Sequence, residues 1–171
     1  MRLVPGLLQT SDYARAVMMA TAPFATVDEI ESGVAERMAR KAILERPEPP
    51  TLNVIVHECV VRQPVGDIRI TKEQISHLIS LADSRHVNIR VLPFAAGCMA
   101  GALGAFSIFE FEEQPLVGSV EGRGGGNLVD GEELRKMVCV YDQIGAAALT
   151  KDQSVGLLMG ALDAAWLHTS R

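Results

Sequence analysis

The chain has 171 residues, 48% of them hydrophobic and 22% charged, which is the composition of an ordinary soluble globular chain whose single core needs neither disulfide nor metal to stand. Sixteen Lys and Arg against twenty-one Asp and Glu leave a net charge of -5, which opposes attraction to a phosphate backbone and sets aside direct nucleic-acid binding. The three cysteines, Cys59, Cys98 and Cys139, are odd in number and lack CxxC spacing, so they read as thiols in a reducing compartment rather than as a disulfide framework.

The opening run Met1-Arg2-Leu3-Val4-Pro5-Gly6 breaks too early for a leader peptide, and nowhere do eighteen apolar residues run together. A cytoplasmic protein without membrane contact is expected. Thr10 to Ala20 starts with Thr/Ser/Asp and continues with Tyr13, Ala14, Val17 and Met18 at helical spacing, so it predicts a short helix ended by Pro23. From Val27 to Arg46, Ile30, Val34, Met38 and Ala42 recur every four positions while Glu31, Arg37, Arg40 and Lys41 take other faces. This predicts an amphipathic helix stopped by Pro47.

Pro47-Glu48-Pro49-Pro50 cannot be helical and joins the helical start to a sheet. Thr51 to His57 alternates as a strand, with His57 at its end. Thr71-Lys72-Glu73-Gln74 reads as a capping box opening a helix that carries Ile75, Leu78, Ile79 and Ala82 on one face. Asn88 to Phe94, Ala105 to Phe111 and Leu116 to Glu121 are β-rich runs bounded by Pro and Gly, expected to join one mostly antiparallel sheet. Asp130 to Leu149 returns to helical spacing through Leu134, Met137, Val138, Tyr141 and Ala148. A second capping box, Thr150-Lys151-Asp152-Gln153, opens a last helix that buries Val155, Leu158, Leu162 and Trp166.

The fold class is therefore α+β: one domain over 1–171, helical across 8–46, sheet-containing across 51–122 and helical again across 130–168. There are no repeats and no low-complexity tract.

Val4-Pro5-Gly6-Leu7-Leu8-Gln9-Thr10 with Tyr13-Ala14-Arg15 forms a specific signature. It is followed in order by Val91-Leu92-Pro93-Phe94, Ala96-Gly97, Gly104, Phe106, Phe111, Val120-Glu121 and Ala148-Leu149-Thr150 with Ser154. On these residues the chain resembles the C-terminal effector domain of actinobacterial XRE-type helix-turn-helix regulators. The resemblance implies a domain that senses a ligand or a partner, with a biochemical activity mostly undefined. It also implies a helix-turn-helix upstream of Val4, where only three residues stand, so the DNA-reading helix is either cut off or absent by nature. Three polar positions depart from the pattern: His57-Glu58 stands for Asp-Glu, Met99 for a His, and Ser119 for an aromatic.

His57, Glu58 and Arg62 cluster where the first strand turns, and a histidine beside carboxylates suits general acid/base work as well as a solvated strand end. Glu121 would meet His57 if their strands were neighbours; otherwise it is a structural anchor or a ligand contact, with Arg90 as its expected partner. The Gly122–Gly126 run with Arg123 reads as an anion cradle or, preferably, a flexible turn or lid. The apolar loop Gly97–Gly104, with Cys98 and Met99, would suit a flap over a hydrophobic ligand, and Cys98 could be a nucleophile or a small packing residue. Phe106 and Ser119 would complete the lining. His57, His77, His86 and His168 lack metal-ligand spacing, so neither metal nor another cofactor is expected.

Two readings follow. In the first, the chain is an effector domain that binds a small apolar molecule or a partner protein through this pocket and does not itself touch DNA. In the second, it is a stand-alone, cofactor-independent enzyme, a cyclase or isomerase of specialised metabolism, with His57, Glu58 and Glu121 doing acid/base chemistry. The mean hydropathy of +0.18 points to a homodimer.

Overall fold

A computed structural model describes residues 3–97, 104–122 and 125–167, with the side chains of 122, 125 and 164–167 left aside. The chain begins with a single 3-10 turn, Gly6–Leu8, followed by α1 (Ser11–Thr21), whose N-cap Thr10 accepts the Tyr13 N–H at 3.3 Å. α2 (Val27–Lys41) opens on a reciprocated capping box between Thr26 and Glu29 and tightens into a 3-10 turn, Ala42–Glu45, before Pro47. β1 (Leu52–His57), the one-turn helix α3 (Cys59–Arg62), α4 (Ile68–Ala82) and β2 (Val87–Leu92) come next. β3 (Phe106–Phe109), β4 (Val117–Gly122), β5 (Gly125–Val129), α5 (Gly131–Ala147) and α6 (Lys151–Leu167) complete the order.

The class is α+β with helices at both ends, as the sequence led us to expect, but the strands form two sheets rather than one. β1 and β2 run parallel, from Leu52 opposite Val87 to His57 opposite Leu92, because the link between them holds α3 and α4, the crossover a parallel pair requires. β3, β4 and β5 make a separate antiparallel meander. The separation has a local cause. The free edge of β2 is filled by the α5–α6 junction: Leu149 N–H donates to Val91 O at 2.9 Å, and Val91 N–H donates to Ser154 Oγ at 2.9 Å. No β2 edge is left there for β3 to join.

The main core lies between the parallel pair and the helices: Leu8, Val56, Leu78, Ile89, Val91 and Leu158 are fully buried. At roughly 25 cal/mol per Å² of apolar surface removed from water, such side chains supply most of the drive to fold. The meander packs its other layer on α5. Gly118 makes this possible, since a Cβ there would stand 2.5 Å from Val129 Cγ2 and 3.1 Å from both Leu134 Cδ1 and Met137 Cε.

Two local expectations are corrected. α4 begins at Ile68, not Thr71, because Asp67 caps it by accepting the Arg69 N–H at 2.7 Å. Thr71 is left inside the first turn, where its hydroxyl ties to Val65. The glycine run, expected as a flexible turn or lid, contributes Gly125 and Gly126 to β5, where a Cβ at Gly126 would lie 2.5 Å from Ser119 Oγ. The last helix does open on the expected box, with Gln153 N–H donating to Thr150 Oγ1 and Thr150 N–H donating to Gln153 Oε1. It buries Leu158 and half-buries Val155 and Leu162, while the Trp166 side chain lies outside the described ones. Among the described residues no helix is long and apolar enough to cross a membrane.

Candidate functional site

The cluster at the end of β1 is real but occupied with its own structure. Glu58 is nearly covered, with 12% of its side chain exposed, and both its oxygens are engaged: Oε1 accepts Arg62 Nε at 3.1 Å and Oε2 accepts the Phe94 N–H at 2.9 Å. His57 Nδ1 accepts the Cys59 N–H at 3.1 Å, which places the proton of the neutral ring on Nε2. The imidazole meets Phe94 edge-on, with ring centroids 5.2 Å apart. Glu58 thus binds backbone and Arg62 rather than His57, and the group acts as a staple that holds the β2 exit against the β1 exit.

Glu121 and His57 are not brought together across a sheet, since β1 pairs only with β2 while β4 lies between β3 and β5. The expected Glu121–Arg90 pairing is also corrected. Arg90 donates to the carbonyls of Gly145, Ala148 and Leu149 at 2.7–2.8 Å, capping the C-terminus of α5. Glu121 is exposed, and its charge acts on Arg37 of α2, whose pKa is lowered by burial and by Arg40 with Glu121 opposing them. Phe106 and Ser119 sit on β3 and β4, half-buried and on opposite faces of the meander. Cys98, Met99 and Arg123, with the 98–103 part of the expected flap, lie outside the described residues.

A different constellation is assembled from the N-terminal signature. Gln9, 2% exposed, donates from Nε2 to Val4 O at 2.7 Å and accepts Arg37 Nη1 at 2.8 Å. Gln74 of α4, 1% exposed, donates to Leu8 O and accepts the Thr10 N–H, both at 2.8 Å. These two amides fasten the first turn to α2 and α4. The fastening also places Lys41: its Nζ donates to Gln9 O at 2.9 Å and stands 3.4 Å from His77 Nε2. Beside them is a partly enclosed cleft of about 190 Å³ lined by Leu7, Lys41, Leu44, His77, Leu81 and Val87, with Glu45, Ser84 and His86 around it.

The electrostatics of the cleft follow from its partial burial. Desolvation lowers the pKa of Lys41, with Glu45 opposing, and lowers that of His77, with the Lys41 charge adding to the effect. A half-buried ammonium with one carbonyl partner, beside an imidazole held in its neutral form, presents unspent donor capacity toward apolar walls. Sequence reading missed the pair because Lys41 and His77 are 36 residues apart. The available signal was the polar line Thr71, Gln74, His77 at three-residue spacing along α4, next to its apolar stripe.

A pH prediction arises here. His77 binds a proton less readily in the folded chain than at its ordinary value of 6.5, so its contribution to stability is complete above that value and is lost as pH falls through the lowered folded-state value. His77→Gln is expected to lose less stability than the parent between a pH above 6.5 and one below it, read as urea midpoints. Identical losses in the two proteins would show that His77 is not held neutral.

Among the described residues, no group of three or more His, Cys, Asp or Glu is placed to hold a metal ion. A family model described as Domain of unknown function (DUF5753) matches residues 1–160. No curated protein and no solved structure matches the chain.

Proposed function

We propose, from the premise that the chain belongs to the DUF5753 family, that it is a cytoplasmic effector domain akin to those of XRE-type regulators, which takes a small ligand and does not itself contact DNA. The observation that carries this reading is the Lys41–His77 cleft. Its apolar walls of Leu7, Leu44, Leu81 and Val87 and its half-buried cation suit a small molecule with an apolar body and one acceptor or anionic group. The net charge of -5 supports a role that leaves DNA contact to another element. The acid/base enzyme is the weaker reading, because Glu58 is consumed by Arg62 and Phe94, and Glu121 stands in the other sheet from His57.

The test is a screen of small carboxylates and neutral amides against the isotope-labelled chain by amide NMR. Binders are expected to move the signals of Leu44, His77, Leu81 and Val87, and Lys41→Met is expected to weaken the carboxylates by about tenfold or more, the scale of one charge-assisted hydrogen bond. Perturbations elsewhere, or equal affinity in a folded Lys41→Met protein, would remove the cleft from consideration.

A further inference from the structure

The charge of this protein is unevenly placed. Between Gly104 and Glu133 the sequence holds Glu110, Glu112, Glu113, Glu121, Asp130, Glu132 and Glu133 against the single base Arg123, a local charge of -6. The remainder carries fourteen acids and fifteen bases, or +1, and the two sum to the total of -5. The acidic surplus therefore sits on the meander and the first turn of α5, where Glu132 is paired with Lys136 at 2.7 Å.

The same meander has an apolar outer face. Opposed residues of an antiparallel pair share a face, so Ile108, Gly118 and Val129 turn together toward Leu134 and Met137 of α5. Phe109 with Val117, and Ser107 with Ser119 and Leu128, turn the other way. Leu128 is 74% exposed and Phe109 46%, with Phe111 and Leu116 exposed beside them. At the β5–α5 corner beside this face lies an open recess of about 370 Å³ lined by Val117 and Leu128, by Val129 from the α5 side, and by Asp130 and Glu133. Apolar floor and carboxylate rim are the two halves of a seat for a side chain with an aliphatic stem and a cationic head.

We propose that the outer face of the meander docks a basic, leucine- or aromatic-rich segment of a partner protein, with a Lys or Arg seated between Asp130 and Glu133 and apolar residues on Val117, Leu128 and Phe109. The charge selects this occupant. A second copy of the chain would bring its own -6 against the same surface, and a nucleic acid would be repelled outright. The site is separate from the Lys41–His77 cleft in both residues and elements, so either can fail without the other.

The probe is a short synthetic peptide of alternating lysine and leucine, with its glutamate–leucine counterpart as control, titrated into the full isotope-labelled chain. The lysine peptide is expected to move the amides of Val117, Ser119, Leu128, Val129 and Glu133, and the glutamate peptide to move none. Leu128→Ser changes no charge and alters an exposed residue; it is expected to weaken the lysine peptide roughly tenfold, and Glu133→Gln to weaken it and flatten its salt dependence. The proposal is overturned if the lysine peptide fails to bind, if its perturbations scatter over acidic residues across the chain, or if folded Leu128→Ser binds it unchanged. Self-association of the free chain in light scattering that Leu128→Ser abolishes would assign the face to a second copy and overturn it equally.

Discussion

Replacing Gln74 by leucine is expected to destabilise the protein by about 3 kcal/mol, although leucine is close in size and better suited to an apolar interior. The side chain is buried, and its amide satisfies two backbone groups of the N-terminal turn, Leu8 O and Thr10 N–H. Leucine leaves both without a partner, at roughly 1–3 kcal/mol for each buried group, and the gain from an apolar side chain offsets only part of this. The loss compares with a total stability on the order of 5–15 kcal/mol and corresponds to a fall in Tm of roughly 6–12 °C. Chemical denaturation with an unchanged m-value is the measurement. A change below about 1 kcal/mol would mean that the first turn is held by Leu8 and Val4 packing rather than by the amide. Because Lys41 bonds to Gln9 O within the same knot, the variant is also expected to weaken any ligand of the cleft.

The N-terminal signature is the part of the sequence whose meaning the fold makes plainest. Pro5 precedes the 3-10 turn, Leu8 is its buried anchor, Gln9 folds back on Val4, and Thr10 caps α1. The resemblance picked out these residues because together they solve one packing problem. Ala148-Leu149-Thr150 with Ser154 has the same character, since Leu149 and Ser154 close the edge of β2. The helices and their α+β grouping were legible because capping and periodicity are local, as the Thr150–Gln153 box illustrates.

Identical local patterns nevertheless led to different outcomes. Thr71-Lys72-Glu73-Gln74 has the form of a capping box, but Asp67 captured the helix start and freed Gln74 for a contact 66 residues away. Strand alternation reports which face is buried and is silent on direction, so the parallel pairing of β1 with β2 could come only from the crossover helix between them. β5 was hidden by its two leading glycines, of which Gly126 lies close against Ser119 within the strand pairing. At the site, His57, Glu58 and Arg62 were found together as their spacing implied, but the partner that decides their role is the Phe94 amide, which nothing in the local sequence announces. The Lys41–His77 pair joins two helices and could be seen only after folding.

The second large effect is expected at Arg90, where the substitution to methionine should cost about 3 kcal/mol and the substitution to lysine should recover only part of it. The guanidinium fork reaches three carbonyls at once: Nε bonds Leu149 O, and Nη2 bonds Gly145 O and Ala148 O. These are acceptors left over at the end of α5, where a cation is further favoured by the helix dipole. Methionine keeps the aliphatic stem, so the loss isolates the charged head; an ammonium carries three donors but no planar fork, and it cannot match all three acceptors from one position. The consequence extends past the helix end, because the same junction supplies Leu149 N–H and Ser154 Oγ to Val91. Loosening it uncovers the edge of β2, and an uncovered parallel edge recruits other strands. Hydrogen exchange should therefore show the amides of Val91 and Leu149 losing protection before those of α4 in Arg90→Met, together with concentration-dependent association absent from the parent. Full recovery by Arg90→Lys, or protection lost uniformly across the core, would show that Arg90 contributes bulk charge or packing and does not lock the α5–α6 junction onto the sheet.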